Sequence, residues 1–267
     1  MTPADPAPAA PDTLVARLRA AGCVFAEEEA AVLREAAAGS SERLDGLAAR
    51  RVAGEPLEQV VGWVDFDGLR LAVAPGVFVP RQRTILLAHE AARLACAAVQ
   101  PPVVVDLCCG AGAVGAVVSA LVPGSVVHAA DVDDAAVEVA RRNLPRGHVS
   151  SGDLFEALPA RLRGAVDVLA ANAPYVPTDA IATMPPEARL FEAGVALDGG
   201  ADGLDVQRRV VAGAPQWLAP GGHVLVETSV RQAAASADAF RAAGLVEIRT
   251  LHDDERDGTV VVGRRAP

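Results

Sequence analysis

From residue 82 onward the sequence alternates between helical and strand periodicity. Most of the strands are followed by a helix, a pattern that builds a mostly parallel sheet with helices on both faces. The last two strands have no helix between them, which predicts an antiparallel hairpin on the same sheet. The predicted strands are 103–107, 125–131, 148–150, 165–171, 223–228, 246–251 and 259–263, and the predicted helices are 82–99, 113–121, 134–143, 206–218 and 231–243. The sequence therefore predicts an α/β fold with a seven-stranded, doubly wound sheet.

The residues before this alternation have a different pattern. Three helical segments, capped by Asp12 and by Ser40 or Ser41, share an apolar stripe and predict a small helical domain. Alternating residues on either side of Asp67-Gly68 then predict a β-hairpin, because Asp-Gly favours a tight turn between two strands. The predicted organisation is a disordered lead-in at 1–11, a helical N-terminal domain at 12–56, a β-hairpin linker at 57–80 and the α/β domain at 81–267.

The charge and the cysteines argue against several classes of function. The formal net charge is −10 and no basic stripe is present to neutralise phosphates, so we expect no direct binding of nucleic acid. Cys23, Cys96, Cys108 and Cys109 have no metal-ligand spacing, so no metal site is predicted. No apolar run reaches the roughly 20 residues that cross a bilayer, and the N-terminus lacks the features of a signal peptide. We therefore expect a cytoplasmic protein without a membrane partner.

A glycine-rich segment follows the first strand of the predicted α/β domain. Parallel sheets bind ligands at the carboxyl ends of their strands, and glycines there let the backbone approach a ligand closely. The segment contains Gly-Ala-Gly-Ala-Val-Gly at 110–115, which matches the fingerprint of dinucleotide-binding proteins, so a nicotinamide- or flavin-dependent enzyme is one alternative. The candidate cofactor-binding residues here are Asp106, Cys108, Cys109, Gly110, Ala111 and Gly112.

Two more acidic residues stand near the ends of neighbouring strands. Asp131 ends the second strand, where a carboxylate can accept hydrogen bonds from both hydroxyls of a ribose. A role as helix N-cap is the alternative, but Asp133 and Asp134 already suit that position. Asp153 follows the third strand, where it could accept from an adenine amino group while Leu154 covers the ring.

The segment Asn172-Ala173-Pro174-Tyr175 directly follows the fourth strand and indicates a reaction. An Asx turn closed by proline is the structural alternative. As a functional site, Asn172 Oδ1 and the Ala173 carbonyl can both accept from one NH2 group, while Tyr175 packs on the planar group that carries it. An amide nitrogen is a poor nucleophile, and two acceptors would orient it and stabilise the positive charge that grows on it during methyl transfer. The motif therefore favours methylation of a planar amide or amine nitrogen.

In combination, these motifs resemble those of the protein-(glutamine-N5) methyltransferases of the HemK/PrmC family, over nearly the whole chain. DLCCGAGAVG (106–115) is similar to the family's cofactor loop, AADVDDAAVEVARRN (129–143) to its ribose segment and SGDLFEAL (151–158) to its adenine segment. The resemblance implies a class I, Rossmann-like fold and S-adenosyl-L-methionine as cofactor, with Asn172 close to the cofactor as well as to the substrate. It also implies a protein substrate that carries a glutamine, such as a peptide chain release factor.

Three departures from the family's pattern indicate a divergent branch. Its usual reactive motif is Asn-Pro-Pro-Tyr, so Ala173 replaces a proline; its Pro-Arg-Pro-Glu-Thr segment reads Pro-Arg-Gln-Arg-Thr at 80–84, so Arg83 replaces an acid. Cys108-Cys109 stands where Gly-Thr is common.

The expected function is transfer of a methyl group to the side-chain amide of a protein glutamine. Asn172 and Tyr175 are the expected catalytic residues, and the substrate-binding residues are Asn172, Ala173, Pro174 and Tyr175. The N-terminal helical domain is expected to dock the substrate protein. Three alternatives remain at this point: methylation of another planar nitrogen in a nucleobase or small molecule, an NAD-dependent oxidoreductase, and a non-catalytic subunit that binds S-adenosylmethionine.

Overall fold

The computed structural model describes residues 12–98 and 101–267. They form two compact units that divide between Val61 and Gly62, and each unit has its own apolar core. The lead-in expected at residues 1–11 lies outside the described residues, as does the last residue of the helix predicted at 82–99.

The first unit is helical in its described part, as the sequence predicts. Asp12 caps the first helix by accepting from the Leu14 N–H at 3.0 Å, and Ser40 caps the third by accepting from the Arg43 N–H at 3.3 Å. A short fourth helix, which the sequence pattern did not predict, follows Pro56. The helices are α1 (Thr13–Ala20), α2 (Ala26–Ala37), α3 (Ser41–Val52) and α4 (Leu57–Val61).

The second unit opens with the predicted β-hairpin. Strands β1 (Trp63–Phe66) and β2 (Leu69–Ala72) pair antiparallel. The two residues between them both have positive φ, +50° at Asp67 and +75° at Gly68. This is the conformation of a tight two-residue hairpin turn, and Asp-Gly adopts it at low cost.

One seven-stranded sheet follows, in the order β5-β4-β3-β6-β7-β9-β8. The first five strands in that order pair in parallel, and β9 pairs antiparallel with both β7 and β8. The seven-stranded, mostly parallel sheet and the C-terminal hairpin are thus confirmed. The elements are α5 (Ile85–Ala97), β3 (Val103–Leu107), α6 (Ala113–Leu121), β4 (Val126–Asp131), α7 (Asp134–Asn143), β5 (His148–Ser151), β6 (Val166–Ala171), α8 (Pro186–Phe191), α9 (Asp205–Trp217), β7 (Leu218–Glu227), α10 (Ala233–Ala242), β8 (Val246–Asp253) and β9 (Gly258–Arg264).

The strands are buried on both faces of the sheet. Val104 and Val168 pack in one apolar cluster, whereas the next residues, Val105 and Leu169, pack in the other. Successive side chains of a strand point to opposite faces, so two-sided burial explains the uninterrupted apolar runs of β3 and β6. Within the described residues no helix combines the length and the apolar character that crossing a bilayer requires.

Two features of the second unit differ from the sequence-based expectation. The long segment between β6 and α9 contains the short helix α8, which begins at Pro186. Strand β7 begins at Leu218, five residues before the predicted start, although Pro-Gly-Gly at 220–222 has the composition of a turn. Gly222 explains the second difference, because a Cβ there would lie only 2.7 Å from the Val166 carbonyl oxygen, so glycine allows the strands to approach.

The strand order reverses between β3 and β6, which lie side by side with Leu107 opposite Ala171. Sheets of this kind bind ligands at such a switch point, outside the carboxyl ends of the strands. The glycine-rich segment after β3 and Asn172 after β6 therefore meet at one end of the sheet.

Candidate active site

The segment between β3 and α6 turns through several residues with positive φ. The angle is +54° at Cys108, +53° at Gly110 and +77° at Gly112. A Cβ on Gly110 would meet nothing within 4 Å, so the backbone there is open to a ligand. A Cβ on Gly112 would lie 3.0 Å from Leu144 Cδ1, so this glycine allows α6 to pack close to the end of α7.

Asp131, at the end of β4, holds the glycine-rich segment from the neighbouring strand. Its Oδ2 accepts from the Gly110 N–H at 2.8 Å, and its Oδ1 accepts from the Asp133 N–H at 3.0 Å. Burial raises the pKa of Asp131, whereas these two donors lower it. Asp133 is the N-cap of α7, accepting from the Ala135 N–H at 2.9 Å, so Asp131 is not needed for that purpose. Each Asp131 oxygen keeps a lone pair for another donor.

Asp106 lies beneath the segment. The side chain is 1% exposed, and Oδ2 accepts from the Gly115 N–H at 2.9 Å. Burial raises its pKa to about 7. This carboxyl fixes the start of α6, so we expect it to shape the cofactor loop.

Of the neighbouring residues, Cys109 and Ala111 are buried and Cys108 is partly buried. Both thiols are free, and burial raises the pKa of Cys108 and Cys109 well above the usual value, so they stay protonated. Ala111 is 2% exposed, and its carbonyl accepts from Asn143 Nδ2 at 2.8 Å. Asn143 also bonds both backbone groups of Ala72, which anchors the hairpin beside the segment.

Asp153 and Leu154 follow β5. Asp153 Oδ2 pairs with Arg209 of α9 at 2.6 Å, and both side chains are about half exposed. Arg209 lies in no sequence motif, so the sequence did not identify it as a site residue. Leu154 has φ of +48° and is 9% exposed, packed in an apolar cluster of the core. Contact of either residue with an adenine ring stays a prediction.

Only the NH2 end of the Asn172 amide is hydrogen-bonded to another described residue. Its Nδ2 donates to Thr84 Oγ1 at 3.3 Å. Among the described residues, no hydrogen-bond donor reaches Asn172 Oδ1 or the Ala173 carbonyl, although Ala173 is only 1% exposed. Backbone carbonyls of buried residues are usually paired. The two acceptors that the sequence predicts for a substrate NH2 group are therefore available.

Tyr175 is hydrogen-bonded to a buried acid that the sequence motifs did not identify. Its hydroxyl donates to Glu227 Oε1 at 3.3 Å, and Glu227 is the last residue of β7 with 1% of its surface exposed. Burial raises the pKa of Glu227 to about 7, whereas the Thr84 hydroxyl, the charge of Arg83 and the Tyr175 hydroxyl lower it. Burial also raises the pKa of Tyr175 to about 12, so the phenol is neutral. The feature of the sequence that could have identified Glu227 is its position as an acid at the carboxyl end of an apolar strand.

A glycine-rich segment at 199–203 encloses the backbone of this motif. A Cβ on Gly199 would lie 2.7 Å from the Pro174 carbonyl oxygen, and one on Gly203 would overlap the Tyr175 carbonyl. The same Tyr175 carbonyl accepts from Gln232 Nε2 at 2.9 Å. These contacts fix the path of the chain after Asn172.

Two arginines of the segment at 80–84 lie near the motif and differ in their partners. Arg81 pairs with the buried Glu192 at 2.6 Å. The Arg83 guanidinium has no hydrogen-bond or ion-pair partner among the described residues, and its charge lowers the pKa of both Tyr175 and Glu227. Arg83 therefore adds an unpaired positive charge close to the acceptor site.

Comparison with known proteins agrees with this arrangement. A family model described as the methyltransferase small domain matches residues 84–247. A release factor glutamine methyltransferase of Geobacter sulfurreducens is 35% identical over 82% of this chain and 76% of that protein. A 4-amino-L-phenylalanine/4-methylamino-L-phenylalanine methyltransferase of Streptomyces pristinaespiralis is 37% identical over 73% of this chain and 72% of that protein. The solved structure of a T. thermophilus 16S rRNA N2 G1207 methyltransferase, in complex with S-adenosylmethionine and guanosine, has a TM-score of 0.54 and 22% identity, covering 76% of this chain and 49% of that one.

The fold and these matches define a class I methyltransferase that uses S-adenosylmethionine. The residues fit that cofactor: Gly110 leaves room at the backbone, and Asp131 offers lone pairs to two neighbouring hydroxyls. The methyltransferase matches exclude the alternative of an NAD-dependent oxidoreductase. Within the class, the chain belongs to the release factor glutamine methyltransferase family.

Proposed function

We propose that this protein methylates the side-chain amide nitrogen of a glutamine in a protein substrate, of which a peptide chain release factor is the expected example. The observation that carries the proposal is the pair of open acceptors, Asn172 Oδ1 and the Ala173 carbonyl. A primary amide presents two N–H donors in one plane, and two acceptors in fixed positions select that group. The names of relatives such as the Geobacter sulfurreducens protein support the same substrate.

The chain's own residues account for the required chemistry. Bound S-adenosylmethionine supplies an electrophilic methyl group. Asn172 and Ala173 would bind both N–H groups and present the nitrogen face to it, and they would stabilise the positive charge that forms on nitrogen. The neutral Tyr175 would pack on the amide plane. A strong base is not required, because the methylated nitrogen releases its proton readily.

The remaining assignments are part of the same proposal. Gly110 and Asp131 would hold the cofactor's nucleoside, with Asp153 near its amino group. The helical segment at 12–56 would dock the substrate protein. The segment at 57–80, which contains the β-hairpin, would connect it to the catalytic domain at 81–267, and the enzyme would act in the cytoplasm.

A second candidate substrate is the aromatic amine of a free amino acid. The name of the Streptomyces pristinaespiralis relative supports it, and so does Arg83, whose unpaired guanidinium could bind a carboxylate. An aromatic NH2 group would use the same two acceptors, because it also presents two N–H donors from a planar group.

Transfer of labelled methyl groups distinguishes the two candidates. The purified enzyme would be incubated with labelled S-adenosylmethionine and either a release factor or 4-amino-L-phenylalanine, and the modified atom located by mass spectrometry. We expect label on a glutamine amide, and Asn172→Ala should lower turnover at least about a hundredfold while cofactor affinity changes little. Label on the amino acid alone would replace the first candidate by the second. In that case Arg83→Ala should raise KM for the amino acid but not for 4-methylaniline, which has no carboxylate.

A further inference from the structure

A cleft outside the candidate active site lies where β4 meets the edge strand β5. Its volume is about 510 Å³, and its walls come from β4, β5, the end of α7 and the segment after β5. His128 and His148, which are partners in the two strands, line the cleft three residues before β4 ends at Asp131. At about 3.3 Å per residue, that separation is about 10 Å. The cleft is therefore distinct from the proposed cofactor site.

The cleft has a charge opposite to that of the whole chain. Among the described residues that line it, the charged ones are Arg141 and Arg161, and none is acidic. The formal net charge of the chain is −10, so this is a local reversal. Arg141 pairs with Glu138 of the same helix, whereas Arg161 has no hydrogen-bond or ion-pair partner among the described residues. Arg161 therefore brings an uncompensated positive charge to the cleft.

His128 is a buried polar side chain that lines the cleft. The residue is 2% exposed, and its ring stacks on that of His148 with 4.6 Å between the ring centroids. Neither ring nitrogen of His128 has a hydrogen-bond partner among the described residues. Burial and the charges of His148 and Arg161 lower the pKa of His128 to about 4, so the imidazole is neutral and keeps one N–H donor. Buried polar groups are usually paired, so this unpartnered ring indicates that the cleft holds a ligand.

The groups around the cleft select the class of ligand. The two guanidinium groups repel a metal cation and attract an anion. Donors from β4, β5, α7 and the segment after β5 face one space, which suits a tetrahedral phosphate better than a planar carboxylate. Leu144 and Pro159 add apolar walls, and the volume is within the roughly 300–1,000 Å³ of small-molecule sites. A nucleic acid would require a longer basic surface than this single cleft.

We propose that this cleft binds the phosphate monoester of a small organic molecule, with Arg161 and His128 as its main donors. The Arg161 guanidinium would bind two phosphate oxygens, and the His128 N–H would donate to the third. The apolar walls would contact the organic part. The inference does not depend on the proposed function, because the residues that line the cleft belong neither to the Asn172 motif nor to the glycine-rich segment after β3.

Calorimetry with phenyl phosphate tests the proposal. The full-length protein would first be saturated with S-adenosylhomocysteine, so that the probe cannot enter the cofactor site. Benzoate and phenol are matched probes, which carry a carboxylate or a neutral hydroxyl on the same ring. We expect phenyl phosphate to bind, benzoate to bind at least about tenfold more weakly, and phenol not to bind.

Two arginine variants test the residues. Arg161→Gln should raise the Kd for phenyl phosphate at least about tenfold, the usual effect of removing a charged hydrogen-bond donor. Arg163→Gln is the matched control, because it removes the same charge two residues away. Arg163 lies over the Trp217 ring and is not among the residues that line the cleft, so its variant should leave Kd unchanged.

The Cε1–H resonance of His128 locates the bound probe. It should move as phenyl phosphate saturates the wild type, which distinguishes this cleft from a site at Arg83, whose guanidinium is also unpaired. An unmoved His128 resonance, no saturation below about 1 mM, or equal Kd for Arg161→Gln and the wild type would overturn the site. Equal affinity for benzoate would overturn the choice of a phosphate. Binding of a single-stranded RNA oligonucleotide without binding of phenyl phosphate would overturn the choice of a small monoester.

Discussion

The buried acid at the end of β7 leads to a prediction about stability. Glu227 is 1% exposed, and burial raises its pKa from an ordinary 4.5 to about 7. Between these two values the folded protein binds a proton that the unfolded chain has already released. Stability therefore falls as pH rises through this window, and above about 7 the loss is complete and no longer changes with pH. Removal of the charge by Glu227→Gln should abolish this part of the pH dependence.

The magnitude follows from the size of the pKa change. Relative to low pH, the raised pKa of Glu227 lowers the free energy of unfolding by about 1 kcal/mol at pH 5.0 and by about 3 kcal/mol at pH 8.5. The gain from Glu227→Gln should therefore be about 2 kcal/mol larger at pH 8.5 than at pH 5.0. Comparing two pH values cancels the packing cost of the new side chain, which is the same at both.

Urea denaturation of the cofactor-free protein at the two pH values provides the measurement. Both tryptophans of the chain, Trp63 and Trp217, lie in the second unit, so their fluorescence reports on the unit that contains Glu227. Glu247→Gln controls for the loss of one negative charge, because this glutamate is exposed on β8. A difference between the two pH values below about 0.5 kcal/mol would refute the argument that burial of Glu227 opposes its ionisation.

Three further predictions concern the cofactor loop and the reactive motif. Asp131→Asn should weaken the binding of S-adenosylmethionine, measured by calorimetry, by about 1–3 kcal/mol. Unchanged affinity would contradict the proposed hydrogen bonds from Asp131 to the ribose. Gly203→Ala should lower Tm more than Gly164→Ala. Both glycines have positive φ, but only the Cβ of an alanine at 203 would overlap a carbonyl, that of Tyr175. Equal losses of Tm would show that the segment at 199–203 adjusts to the added methyl group. Ala173→Pro should retain turnover within a few fold, because the Ala173 N–H donates no hydrogen bond to a described residue; severe loss with cofactor binding intact would argue against the glutamine geometry.

The elements that the sequence predicted well are those in which local chemistry and burial agree. The apolar runs of β3 and β6 are buried on both faces, and Asp67-Gly68 adopts the positive φ values that its turn requires. The start of β7 could not be predicted from its local sequence. Whether Pro-Gly-Gly at 220–222 turns or extends depends on the Val166 carbonyl, which approaches from another strand.

The same distinction applies to the site. Asn172 was identified because the residues that make it unusual are its immediate neighbours in the sequence. Arg209, which pairs with Asp153, lies 56 residues away from it, and no local pattern marks such a partner. Glu227 is a similar case, since the tyrosine that it accepts from is 52 residues earlier in the chain. Sequence motifs therefore identified the atoms expected to touch the ligands but not the groups that hold them.

The energetics of Glu227 favour a functional reason for its presence. Glutamine could accept from the Tyr175 hydroxyl with the same geometry and without the cost of burying a charge, and Oε2 of Glu227 has no hydrogen-bond partner among the described residues. What glutamine cannot do is compel the Tyr175 hydroxyl to donate, because its NH2 end could turn toward the phenol oxygen and donate to it instead. An ionised carboxyl only accepts, so it fixes the Tyr175 hydroxyl as the donor of this hydrogen bond. The stability lost at the end of β7 and the orientation gained at Tyr175 are then two consequences of one buried charge.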